Sequence, residues 1–202
     1  MISVIMPLGQ RHRSPLFWVA RGAIYLAATT AGGALLGALL GWLGAGLRGL
    51  VPFAALLVVA ALLAAAYGLH EAGVWHLPHP ERAWQVPNSW IMERPLLGAA
   101  AFGVILGAGV FTFIPFTSFY LLLIWELLTA SPVAGALLGG AYGLARALPV
   151  LAGAWTTARG APIAPLHVRL LTAAPGLHRA TSGLLLVTAG LLLVPLLLAL
   201  AL

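Results

Sequence analysis

The sequence predicts an all-α, polytopic membrane helix bundle of five transmembrane helices, with six as the alternative count, in a single membrane domain over residues 1–202. Three observations predict it. Of the 202 residues 62% are hydrophobic and only 7% charged, whereas a soluble domain carries about a quarter charged residues. Charge-free stretches are long: Gly22 to Leu47, Gly49 to Leu69, Pro95 to Trp125, Leu127 to Ala145 and Ala180 to Leu202. Crossing about 30 Å of hydrocarbon takes about 20 helical residues, and the alternating pattern of a membrane β-barrel is missing. The 24 Gly and 14 Pro fit, because membrane helices tolerate both.

Taken in order, the spans fall at about 17–47, 50–73, 95–129, 132–157 and 180–202, with cytoplasmic loops at 74–94 and 158–179. The apolar run of the first exceeds the about 7 to 15 residues of a signal-peptide core, so it reads as a mature helix. The turns at Gly46 to Pro52 and Ala130 to Pro132 are short. They predict antiparallel hairpins between the first and second spans and between the third and fourth. The third span would be about 50 Å long if straight. Pro115 in its middle removes a ladder hydrogen bond and blocks the carbonyl four residues back, so a kinked or broken helix is expected there. Pro132 starts the fourth span, which runs through Arg146. The loop at 74–94 carries Trp75, Trp84 and Trp90, rings suited to the headgroup level. The loop at 158–179 is basic, with a short amphipathic piece at His167 to Leu171.

Charge orients the bundle. All ten cations are Arg and all four acids are Glu, which gives a net charge of +6. An N-terminus on the cytoplasmic side of the cell (inner) membrane puts eight Arg inside (residues 11, 13, 21, 82, 94, 159, 169 and 179) and only Arg48 outside, as the positive-inside rule requires. Cysteine is absent, which excludes disulfides, thiolate metal sites and thiol redox chemistry. No acid–base pair, phosphate loop or nucleophile motif is visible, so the chain is not expected to be an enzyme. The Arg residues are too dispersed for nucleic acid, and no cofactor is predicted. His70, His76 and His79 are close in sequence, but Pro78 and Pro80 keep them off one helical face, so metal or haem binding is not expected.

Ala66 to Ala72 recurs as Ala141 to Ala147 late in two spans of the same direction, which suggests a parallel repeat of two hairpins. Small residues four apart, at Gly33, Gly37 and Gly41 and at Gly135, Gly139 and Gly143, let backbones approach closely. They fit internal bundle packing, or a face for a homo-oligomer or larger membrane complex. Three charges fall within spans: Glu71, Glu126 and Arg146. Each costs about 2.5–3.5 kcal/mol at mid-bilayer. Glu71 and Arg146 differ in depth by about 8 Å along parallel helices, so a Glu71–Arg146 contact near the inner mouth is expected. Hydroxyls cluster at the two expected helix breaks, with Thr29 and Thr30 in the first span. Thr112, Thr117, Ser118 and Tyr120 surround Pro115 in the third. With Tyr142 they are candidates for a substrate or ion path, or ordinary back-bonds to helix carbonyls.

The run Gly107-Ala108-Gly109-Val110-Phe111-Thr112-Phe113-Ile114-Pro115, followed by Tyr142-Gly143-Leu144-Ala145-Arg146-Ala147-Leu148-Pro149-Val150-Leu151, resembles the CcdA/DsbD transmembrane family of the LysE-like superfamily. The likeness covers about residues 80–180, including Arg82 to Trp90. It implies a transport scaffold with two broken helices around a central site. The family's relay cysteines have no counterpart here, and its inverted three-plus-three repeat departs from five spans. The first functional reading is therefore a transporter-like scaffold for a small solute or ion. The alternative is a non-catalytic subunit or assembly factor of a larger membrane complex, respiratory or photosynthetic. A redox protein with a bound cofactor stands third.

Overall fold

The computed structural model describes residues 15–77, 93–109, 117–158 and 164–201. Among the described residues six helices follow in order: α1 (Pro15–Leu47), α2 (Phe53–Glu71), α3 (Pro95–Ala108), α4 (Ser118–Thr129), α5 (Pro132–Ala158) and α6 (Ala164–Ala201). Four contain stretches long and apolar enough to cross a membrane: Leu16–Leu47, Phe53–Glu71, Pro132–Trp155 and Thr172–Val194. The other two, α3 and α4, are shorter and apolar, and together they take the place of the third span.

Contacts along α1 fix their direction. Gly103 and Gly107 of α3 lie against Tyr25 to Gly33 of α1, while Leu127 at the end of α4 lies against Gly44. Both short helices thus run with α1, away from the face at which the chain enters it. The expected break is real, and its first half ends at Gly109. This residue adopts φ 73° and bonds back to Ile105 and Leu106, a left-handed helix end that glycine alone adopts without strain. Pro115, the residue expected to cause the break, and the path candidate Thr112 lie outside the described residues, as do Trp84, Trp90 and His79.

The first expected hairpin does not form a packed pair. α1 lies on α5 and α3, whereas α2 lies on α6, and α4 stands between these two groups. The turn at 48–52 joins helices of different layers. Arg48 closes it by donating from Nη2 to the Leu128 carbonyl at 3.1 Å, capping the end of α4. A cation there opposes the negative pole of the helix. The second hairpin, α4 to α5, does form. Its turn holds Ala130 at φ 47°, and Ser131 Oγ accepts from the Ala134 N–H ahead of Pro132, a serine cap followed by proline at the first helical position. Left-handed geometry costs an alanine about 1–2 kcal/mol. Ala130→Gly is therefore expected to raise thermal stability by about 1 kcal/mol, readable as a higher Tm in detergent.

Two expected boundaries move. The basic connection at 158–179 is largely helix, because α6 begins at Ala164 and continues through Pro175. Pro165 falls at its first turn, where a missing N–H costs nothing. Near Thr29 and Thr30, α1 is unbroken. Each hydroxyl donates to a carbonyl four residues back, Thr29 to Tyr25 at 2.7 Å and Thr30 to Leu26 at 2.9 Å, so the ladder stays intact.

The core is a glycine seam and an aromatic–aliphatic cluster. Gly33, Gly37 and Gly41 face Gly139, Gly135 and Ser131 so closely that a Cβ on any of them would overlap the opposing carbonyl oxygen. The seam glycines, Gly143 included, are buried between α1 and α5. They form internal packing, and the expectation of an oligomer face through them is corrected: both rows are used up on each other. Tyr25, Phe102, Leu106, Ala147 and Val150 continue the core toward the N-terminal face. There Arg21 is fully buried, its guanidinium over the Trp18 ring.

Candidate functional site

The two copies of the short repeat lie on α2 and α5, which run in the same direction on either side of α4. Each presents a tyrosine to the first turn of α4. Tyr67 stacks on Tyr120 with centroids 5.2 Å apart, and Tyr142 meets Phe119 at 5.0 Å. Four residues after each tyrosine comes a charge, Glu71 in one copy and Arg146 in the other. Helical spacing puts tyrosine and charge on one face, so both charges flank α4 from opposite sides. This geometry overturns the expected Glu71–Arg146 contact. Arg146 Nη1 donates to its own Tyr142 hydroxyl at 2.7 Å, and Glu71 turns to α4 and α6.

Glu71 is the centre of the best-defined polar cluster among the described residues. Its Oε1 accepts both the backbone N–H and the Oγ1–H of Thr117, each at 2.7 Å. Its Oε2 pairs with Nδ1 of His178 on α6. Thr117 precedes α4, whose first turn has no cap from its own side chains. Glu71 supplies that cap from another helix, and a carboxylate there meets the positive pole of α4. The glutamate side chain is 3% exposed and the imidazole 43%, so the pair leads from a buried carboxylate to an accessible ring. One turn along α6, Ser182 Oγ donates to the Gly68 carbonyl at 2.8 Å and fastens α6 to α2. Gly68 itself has no side chain because Leu186 lies where its Cβ would be.

Around this cluster the end of α2 is wrapped by its own chain. Gly73, at φ 76°, reverses the backbone, and the Leu77 N–H donates to His70 Nδ1 at 3.1 Å. The His70 ring meets His76 edge-on at 6.3 Å. Of the residues selected from sequence, Thr117 and Tyr120 join the Glu71 cluster, whereas Tyr142 and Arg146 lie across α4. Thr29 and Thr30 belong to the α1 ladder. Glu126 is buried apart from all of these, against the glycine seam. Sequence reasoning missed His178, because residues 158–179 read as a loop. The signal was available: His178, Ser182, Leu185 and Ala189 recur at helical spacing and line the side of α6 turned to the bundle.

Fold and site together define a multi-pass helical membrane protein with a carboxylate–imidazole pair at a broken crossing. Among known proteins the chain is similar to methylamine utilization protein MauF. It is 30% identical to that of Paracoccus versutus over 152 residues, covering 74% of this chain and 55% of that one. The counterpart of Paracoccus denitrificans is 29% identical over 153 residues, with 74% and 54% covered. That of Methylophilus methylotrophus is 30% identical over 156 residues, with 74% and 53% covered. The chain spans about half the length of the curated relatives it matches. No family model matches it, and no solved structure does. These findings correct the resemblance to the CcdA/DsbD family. The Gly, Ala and Pro residues that carried it are common in membrane helices generally, and the relay cysteines were never there.

Proposed function

We propose that the chain is a membrane accessory protein of methylamine utilization, non-catalytic, which holds or helps assemble a larger complex. The observation that carries this reading is the similarity to MauF proteins over about three quarters of the chain. The internal chemistry supports it. The glycine seam is closed on itself, the threonines of α1 are spent within their own helix, and Glu71 is engaged by α4 and α6. These are features of a rigid scaffold, and they leave the transporter reading without a path among the described residues. Disrupting the gene in its host tests the role. Growth on methylamine is expected to fail while growth on succinate with ammonium continues, and unimpaired growth on methylamine would refute it.

The N-terminal face is the cytoplasmic one in this reading, because Arg94 and Arg179 lie toward it and, among the described residues, only Arg48 lies opposite. The natural absence of cysteine makes the topology simple to test. A membrane-impermeant maleimide on intact cells is expected to label Gly46→Cys, at the far end of α1, and to leave Ala72→Cys unlabelled until the membrane is opened. The reverse pattern would invert the orientation.

A further inference from the structure

Glu126 lies outside the cluster that Glu71 forms with Thr117 and His178. It lies on α4 with 1% of its surface exposed, and its carboxyl is directed into the seam between α1 and α5. A Cβ on Gly37 would stand 3.1 Å from Oε1, and one on Gly139 would stand 3.0 Å from it. Oε2 is buried and has no hydrogen-bond partner among the described residues. Among the described residues no cation pairs with it: the nearest, Arg48 and Arg146, donate to the Leu128 carbonyl and the Tyr142 hydroxyl. α1 turns glycine to it. α5 brings Gly139 and, a turn on, Tyr142, whose hydroxyl accepts from Arg146. On the other side of α4, Glu71 of α2 is committed to Thr117 and to His178 of α6.

An ionised carboxylate enclosed in this way is strongly disfavoured unless a cation accompanies it. The seam is built for a small one. The carbonyl oxygens of Gly33 and Gly135 lie against Gly139 and Gly37, the same two glycines that border the carboxyl, and each carbonyl keeps a second lone pair beyond its helix bond. A site of oxygens alone suits a hard ion, without the nitrogen or sulfur that transition metals prefer. Backbones in this close contact leave no room for an organic cation. We propose that Glu126 is a binding site for a small monovalent cation, a proton or a sodium ion, enclosed between α1, α4 and α5. This proposal stands independently of the accessory role.

The chain contains only four carboxyl side chains, all glutamate, so infrared spectra of the intact purified protein can be assigned by substitution. A protonated-carboxyl band that persists at alkaline pH and that Glu126→Gln removes identifies the ligand as a proton. With no such band, a Tm that rises with sodium but not with choline, and loses that response in Glu126→Gln, identifies sodium. Either result supports the site. The absence of both at neutral to alkaline pH overturns it. Should Glu126→Gln not fold, the measurements move to Glu126→Asp, which keeps a carboxyl on a shorter stem. A shifted band or a weakened sodium response then supports the site, and signals identical to wild type overturn it.

Discussion

Gly37→Leu is expected to destroy the fold, whereas Gly46→Leu, nine residues further along the same helix, is expected to stabilise it. At Gly37 the first added carbon would overlap the carbonyl oxygen of Gly135, a backbone atom that cannot rotate away. α1 and α5 must then separate along their whole contact, which also includes the Gly33–Gly139 and Gly41–Ser131 approaches. Overpacking a close-packed core costs about 1–3 kcal/mol, occasionally more, and this seam has backbone on both sides, so a loss above about 3 kcal/mol is expected. At Gly46 a Cβ meets nothing within 4 Å. Replacing a helical glycine by leucine there returns most of the about 0.8–1 kcal/mol that glycine costs a helix. Tm and the elution profile in mild detergent read both. Equal behaviour of the two variants would mean that α1 and α5 do not meet through their glycines.

That contrast also marks what the sequence made legible. The four-residue glycine spacing was visible, and so was the expectation that such residues bring backbones together. Whether the partner was another helix of this chain or another molecule depends on which faces meet, and spacing along one helix carries no such information. Hydropathy pointed to long apolar helices because insertion into lipid is nearly a property of each segment alone. The pairing of spans is a property of the whole bundle, which is why the short turn at 48–52 misled: it joins α1 to α2 without packing them together. The break in the third span was readable from length and proline, but Gly109 and the cap at Thr117 were not. The Glu71–Arg146 expectation failed for a related reason. Depth along a helix says nothing of what stands beside it, and α4 lies between the two charges.

Removing the carboxylate of Glu71 is expected to loosen the second half of the broken crossing more than removing its histidine partner. Glu71→Ala leaves the Thr117 N–H and hydroxyl without their acceptor. Hydrogen bonds to charged groups contribute about 1.5–3 kcal/mol each, and the loss of a helix cap costs about 1 kcal/mol. Because the two donors share one oxygen, about 2–3 kcal/mol in total is expected. Glu71→Gln keeps an amide oxygen for Thr117 and gives up the charge opposite His178, so a loss nearer 1 kcal/mol should follow. His178→Ala removes a ring that is 43% exposed, and partly solvated pairs of this kind contribute about 1 kcal/mol or less. Hydrogen exchange separates the roles, because loss of the cap should raise exchange at residues 117–120 before the rest of α4. Thr117→Val combined with Glu71→Ala should cost less than the two changes summed, since both break the same contact. If His178→Ala equals Glu71→Ala in Tm and in exchange at α4, the carboxylate serves the imidazole rather than the helix. The first turn of α4 must then be held by its aromatic contacts, Tyr67 on Tyr120 and Tyr142 on Phe119.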